Sequence, residues 1–214
     1  MDLSLDHVLL AVADLDEAAL RLGNHPGLTA LPGGRHPGVG TANLIVPLGG
    51  DYLELIAIVD QAEAATMRRS QRVREAVAGG RTFAGWAVRT NSLEKLRSSL
   101  ERLGLATNDP FDGGRVRPDG VLLRWRTLEL ADPTPSDPFF IEWQVPPGSH
   151  PAEQPAAHRS RASGISRVTV GAGGPVIGML AEAGIPVQVA GIGAGQPGLV
   201  SIELATPSGS LTIR

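Results

Sequence analysis

A pattern written three times limits most strongly how this chain can fold. Each copy opens on a short apolar strand: Leu5–Val12 (LDHVLLAV), Phe83–Arg89 (FAGWAVR) and Ile165–Val170 (ISRVTV). A helical stretch follows and stops at a glycine, Gly23, Gly104 or Gly184, at a nearly constant distance from the strand. Later strands close each copy on a glutamate inside an apolar run: Glu54 in YLELIA, Glu142 in FFIEWQ and Glu203 in SIELAT. A fixed internal period means stacked copies of one supersecondary unit, and the unit here reads βαβββ. Local signals agree with it. Asp14 stands three residues before Glu17, the spacing of a capping box, and Leu15, Ala18, Ala19 and Leu22 then share one helical face before Gly23. The second copy offers Asn91 or Ser92 as cap and stripes Leu93, Leu96, Leu100 and Leu103 before Gly104. The third enters through Gly173–Gly174–Pro175, with proline suited to a first helical turn.

The chain accordingly divides into a first module over 1–60, a connecting helix over 61–80 and a second module over 81–147. A surface linker rich in Pro, Ala, Ser and His follows over 148–163, then a third, shorter module over 164–214. The expected fold class is α+β, with repeated βαβββ modules forming a half-closed barrel around a cavity that the first two modules share. All the aromatic residues lie between Tyr52 and Trp143, so the third module is expected to support or dimerise rather than catalyse. Arg68, Arg69, Arg72 and Arg74 in the connecting helix read as a solvated face, with anion binding or a dimer contact as alternatives. His150 and His158 fall in the linker and are expected to be exposed.

Composition removes several function classes. At 42% hydrophobic residues and a formal charge of −3, the chain is neither disordered nor built to bind nucleic acid or a membrane surface. The absence of cysteine removes disulfides, thiolate nucleophiles and Cys-ligated metal sites. Residues 1–20 carry Asp2, Asp6, Asp14 and Asp16 with no basic n-region, unlike a signal peptide. No apolar run approaches the roughly 18 residues of a membrane span. The expectation is a cytoplasmic protein whose partner is a small molecule, with a homodimer as the candidate assembly.

Strand alternation sorts the side chains that can share a cavity. In the first strand Val8, Leu10 and Val12 take the helix face, which leaves Leu5, His7, Leu9 and Ala11 on the other. In YLELIA, Leu53 and Leu55 go to the helix, while Tyr52, Glu54 and Ile56 go with His7. The same reasoning sends Glu142 and Gln144 opposite Trp143 and towards the cavity. In VLLRWRTLEL, Arg124 and Arg126 share a face too costly to bury against a helix, so they face the cavity or water. A histidine and two carboxylates on concave β-faces, His7, Glu54 and Glu142, suit a divalent metal such as Zn, Fe, Mn or Ni with positions open for substrate. The structural alternative is a hydrogen-bonded core histidine, with the glutamates paired to Arg124 or Arg126.

At these residues the chain resembles a known family. A βαβββ unit with a first-strand histidine and a last-strand glutamate is similar to the vicinal oxygen chelate superfamily of glyoxalase I, extradiol dioxygenases and bleomycin-resistance proteins. More narrowly, LDHVLLAVADL, GGRHPGVGTANLIVPLGGDYLELIA and RVRPDGVLLRWR with PFFIEWQ resemble its glyoxalase-like branch over roughly residues 3–152. The resemblance implies that paired units each lend one first-strand and one last-strand residue to a metal. Those places here are His7, Glu54, Trp86 and Glu142. Tryptophan cannot ligate, which leaves three ligands plus solvent; without a metal, Trp86 becomes an apolar wall. In the third unit Arg167 stands at the histidine place beside Glu203, which suggests a structural ion pair.

The string Gly33–Asn43 is a constrained, glycine-rich loop leading into a strand. Arg35 and His36 can close over an anionic or carbonyl substrate, with His36 as acid–base, or His36 and Asn43 can simply satisfy backbone groups. Two functions follow as expectations. One is a small-molecule enzyme of the lyase/isomerase or dioxygenase type. Its metal would sit on His7, Glu54 and Glu142, with Glu142 and His36 catalytic and Arg35, Asn43, Trp86, Arg124 and Arg126 contacting substrate; no organic cofactor is expected. The other is a metal-free protein that binds or sequesters a small molecule.

Overall fold

The computed structural model describes residues 2–191 and 198–214. Its first module runs β1 (Leu3–Ala11), α1 (Leu15–Asn24), β2 (Leu31–His36), β3 (Thr41–Pro47) and β4 (Tyr52–Ile58). Two short helices, α2 (Gln61–Ala65) and α3 (Arg68–Ala78), join it to the second module of β5 (Phe83–Thr90), α4 (Leu93–Arg102), β6 (Phe111–Val116), β7 (Leu122–Leu128) and β8 (Phe139–Trp143). The helix expected over 61–80 is therefore broken, because Met67 adopts an extended conformation between the two pieces. The helix starts follow from their caps. Asp14 accepts from the Glu17 amide, Ser92 from the Lys95 amide, and Pro175 opens the third-module helix. Gly104 and Gly184 stop helices with positive φ, as read from sequence. Gly23 does not: α1 continues through Asn24, and the left-handed residue is Gly27.

The first two modules form one eight-stranded sheet, ordered β2-β3-β4-β1-β5-β8-β7-β6. Each module's first strand pairs parallel with its last, β1 with β4 and β5 with β8, and the two halves join where β1 and β5 run antiparallel. Val8 faces Trp86 across that join, so a local two-fold relates the halves. The outer strands curl towards each other until Arg115 of β6 donates to the Gly33 carbonyl of β2, giving a nearly closed barrel.

Apolar alternation decides which face of this sheet is filled. Val8, Leu10, Leu53, Leu55, Trp86, Val88 and Phe140 point to the convex side and pack with Leu93, Leu96 and Leu100 of α4. The third module, β9 (Ile165–Val170), α5 (Pro175–Glu182), β10 (Val187–Val189), β11 (Leu199–Thr206) and β12 (Gly209–Ile213), adds Val168, Val170, Leu180, Ile202 and Leu204 to the same core. It repeats the order of elements but not the pairing. Its sheet is ordered β10-β9-β11-β12, so β9 lies beside its second and third strands rather than its last. Glu203 stands opposite Arg167 in register and pairs with it at 2.9 Å on the surface of this sheet.

Candidate functional site

The concave face holds a cavity of about 150 Å³, a volume on the scale of benzene. The first module furnishes its polar side. In β1 the pairing slips between Leu5 and His7, and this bulge alters the expected alternation. Leu5 joins the convex core, while Asp6 and His7 are both buried and bonded to each other. His7 Nδ1 donates to Asp6 Oδ1 at 2.6 Å, and His7 Nε2 stands 3.3 Å from Glu54 Oε2. Glu54 Oε1 accepts from Asn43 Nδ2 at 2.7 Å. The same amide nitrogen lies 3.4 Å from His36 Nε2, whose ring turns Nδ1 to Thr41 Oγ1 at 2.8 Å. Gly33 makes room for this: a Cβ there would collide with the Asn43 side chain.

The charges in this line can be placed. Burial alone would raise the Asp6 carboxyl, but hydrogen bonds from His150 and His7, and their charges, outweigh it and hold Asp6 well below the usual carboxylate range. Ionised Asp6 can only accept, so His7 must present N–H at Nδ1. Burial lowers the His36 pKa despite the Glu54 charge beside it, consistent with a neutral ring that accepts from Asn43. Burial also pushes the Tyr52 hydroxyl well above its ordinary value. The Tyr52 ring stacks on His7 with centroids 4.6 Å apart and fixes the imidazole plane.

The second module furnishes the apolar side: Trp125, Phe139, Ile141 and Trp143, with Phe111 at the edge. The α3 helix completes the wall through Arg69, Ser70, Arg72 and Val73. Two of the four arginines expected on a solvated face therefore turn inward. Arg69 lies 4.4 Å over the Phe111 ring and donates to Thr127, and Arg72 pairs with Glu129 at 2.8 Å.

His7, Glu54, Asn43 and His36 thus converge on the concave face. The other expected site residues lie elsewhere. Glu142 sits on the convex side with Phe140, where its carboxylate accepts from the Leu93 amide at the start of α4, 3.0 Å away. A carboxylate at a helix N-terminus is stabilised by the free amides and the dipole there. Trp86 is fully buried in the convex core and donates to the Ser136 carbonyl, so it is no wall of the cavity. Arg126 pairs with Glu94 at 2.7 Å on the outer face, and Arg124 is exposed. Arg35 points outward to Asp60 and Glu63 at 3.0 and 3.2 Å. The three-ligand set His7, Glu54 and Glu142 is consequently not assembled. Among the described residues no three His, Asp or Glu side chains are placed to hold a metal ion.

Three contributors escaped the sequence reading. Asp6 is the hub of the buried network and accepts from Trp143 Nε1 and His150 Nε2, each at 3.0 Å. The Asp6–His7 dipeptide was a visible signal, hidden because strict alternation puts neighbours on opposite faces. His150, expected to be exposed, is buried: the linker folds under the barrel, with Ala152 against Ile45 and Tyr52. His158 anchors the same segment to the Pro47 carbonyl and the Thr29 amide. Arg115, at the start of the string RVRPDG, is a buried residue of the cavity wall.

The fold agrees with comparisons to known proteins. A family model described as glyoxalase-like domain matches residues 5–176. A hypothetical protein from Staphylococcus aureus shares the fold with a TM-score of 0.65 at 16% identity, over 98% of this chain and 84% of that one. Methylmalonyl-CoA epimerase from Mycobacterium tuberculosis gives 0.46 at 21% identity, over 67% of this chain and 88% of its own. The Streptomyces coelicolor epimerase, solved with 2-nitronate-propionyl-CoA, gives 0.46 at 15% identity over 66% and 97%. No curated protein matches the chain. Among the described residues no helix is long and apolar enough to cross a membrane. A barrel of two paired βαβββ modules with this family match has one reading: the chain belongs to the glyoxalase-like domain family.

Proposed function

We propose that the cavity is the active site of a small-molecule enzyme of the isomerase or lyase type, which moves a proton at a carbon next to a carbonyl. The observation that supports this most is the unbroken line Asp6–His7–Glu54–Asn43 reaching the cavity wall. Glu54 takes the proton as general base. The Asn43 amide holds its other oxygen, so one lone pair faces the substrate. His7, fixed as the Nδ1–H tautomer by Asp6, exchanges that proton with Glu54 through Nε2. The arrangement has the logic of a catalytic triad with the carboxylate placed at the substrate end. Arg69 and Arg115 in the wall supply positive potential for the negative charge that develops on the carbonyl oxygen. The aromatic side, Trp125, Phe139 and Trp143, excludes water and packs on the substrate's carbon skeleton.

Solvent deuterium tests this reading. Pyruvate, hydroxyacetone and related small carbonyl compounds are incubated with the protein in D2O and followed by proton NMR. Exchange at the carbon beside the carbonyl, lost in Glu54→Gln, is the expected result. Saturable binding without exchange of any of them would instead leave a protein that sequesters its ligand.

A further inference from the structure

Arg115 is the one arginine buried from solvent among the described residues, at 4% exposure. It projects from β6 into the wall of the cavity. One guanidinium nitrogen, Nη1, donates to the Gly33 carbonyl across the barrel seam. The other, Nη2, is buried with no hydrogen-bond partner. No carboxylate among the described residues is in ion-pair range, although the charge of Glu54 and the Tyr52 oxygen act on it through space. This is unusual chemistry for a protein interior. Buried charges are paired or hydrogen-bonded because desolvation is otherwise uncompensated, and a guanidinium stays charged. The other arginines around the barrel show the ordinary solution: Arg126 on Glu94, Arg72 on Glu129 and Arg35 on Asp60. Arg115 has the same fork of donors and half of it unused. A fork is the geometry that carboxylates match.

We propose that Arg115 is the anion anchor of this cavity and that its substrate class is a short-chain carboxylate bearing a carbonyl or hydroxyl next to the carboxyl carbon. This rests on the reading of the cavity as an active site and names what enters it. The carboxylate completes the Arg115 fork. The neighbouring carbon is then held towards Glu54, the base contributed by the other half of the barrel. The small cavity limits the chain to a few carbons. Anion and base come from opposite halves of the barrel, Arg115 from the second module and Glu54 from the first, so the substrate bridges the seam. A neutral isostere leaves the guanidinium unpaired and is rejected for that reason.

The test compares charge at constant shape. Pyruvate, lactate and acetate are titrated into the wild-type protein beside pyruvamide, lactamide and acetamide, with the tryptophan emission and calorimetry as readouts. Each acid is expected to bind about tenfold or more tightly than its amide, the scale of a hydrogen bond to a charged group. Arg115→Met abolishes the preference and Arg115→Lys retains part of it. Arg115 also ties the seam, so each variant is accompanied by an unfolding curve; the wild-type acid–amide comparison decides without any variant. Equal affinity of acids and amides, or binding of neither, overturns the assignment, as does a preference that survives in a folded Arg115→Met protein. Acid-selective binding without deuterium exchange upholds the Arg115 assignment and removes only the proton-transfer reading.

Discussion

The two halves of the barrel share one backbone plan and differ in almost every side chain that faces the cavity. The local two-fold exchanges Val8 with Trp86, and hence His7 with Gly85 and Leu9 with Ala87. Leu9 pairs with Glu54 and Ala87 with Phe139, so the counterpart of Glu54 is Phe139. Where the first module has a histidine and a carboxylate, the second has a glycine and a phenylalanine. The glycine-rich strands show the same contrast. Gly33 makes room for Asn43 in one half, and Gly113 makes room for Trp125 in the other. Symmetry in this protein belongs to hydrogen-bonded strands and convex core. The buried polar line of His7, Glu54, Asn43 and His36 belongs to one half and the aromatic wall to the other, where Asp112, Arg115 and Glu129 are charged residues of the lining.

Among substitutions that separate the two halves, the largest effect is expected at Asp6. Asp6→Ala strands His7, His150 and Trp143 as buried groups without their acceptor, a loss of about 3–5 kcal/mol in urea unfolding. The sign with pH follows from its depressed pKa. The contribution of Asp6 is complete above the usual aspartate value near 4 and fades only in strong acid, so the two unfolding curves converge there and not at neutral pH. Next come the tryptophans of the second module. Trp86→Phe is expected to cost about 1–3 kcal/mol of stability as a core change while leaving ligand titrations unaltered. Trp125→Phe is expected to weaken ligand binding with less effect on the unfolding midpoint. Glu142→Gln removes a charge from the start of α4 and is expected to cost about 0.3–1 kcal/mol, again visible only in unfolding. The smallest effect concerns Asp51, which ties the first module to the third by accepting from the Ile165 amide. Burial, partly offset by that bond, pushes its carboxyl up to about 6. Between about pH 4 and 6 the folded state holds a proton that the unfolded state has released, so this group makes stability fall as pH rises through that window. Asp51→Asn should flatten that slope in thermal melts taken across it.

Much of this was legible in the sequence for a physical reason. The repeat, the caps at Asp14 and Ser92 and the apolar stripes are local signals, and they sufficed for an α+β barrel of paired modules. His7, Glu54 and Asn43 were legible because they alternate with apolar neighbours along their strands, Leu53 and Leu55 beside Glu54 and Leu44 beside Asn43, and His36 because it stands in a glycine-rich string. Parity failed where both faces are apolar. Phe139, Phe140, Ile141 and Trp143 offer no polar marker, so Glu142 was placed on the wrong side. It failed again at bulges, since the slip at Asp6 and the irregularity beside Gly85 shift the face by one residue. Arg115 and His150 depend on the closing of the barrel seam and the folding of the linker under it, contacts between residues far apart in the chain that no local pattern records.

The most direct test sets Glu54→Gln against Glu142→Gln in the same deuterium-exchange measurement with pyruvate. The expected result is a loss of about a hundredfold to ten-thousandfold for Glu54→Gln and a rate within about twofold of wild type for Glu142→Gln, whose carboxylate meets the start of α4 and Arg126 outside the cavity. Equal losses in the two variants, or a loss confined to Glu142→Gln, would contradict a site whose chemistry resides in the first module.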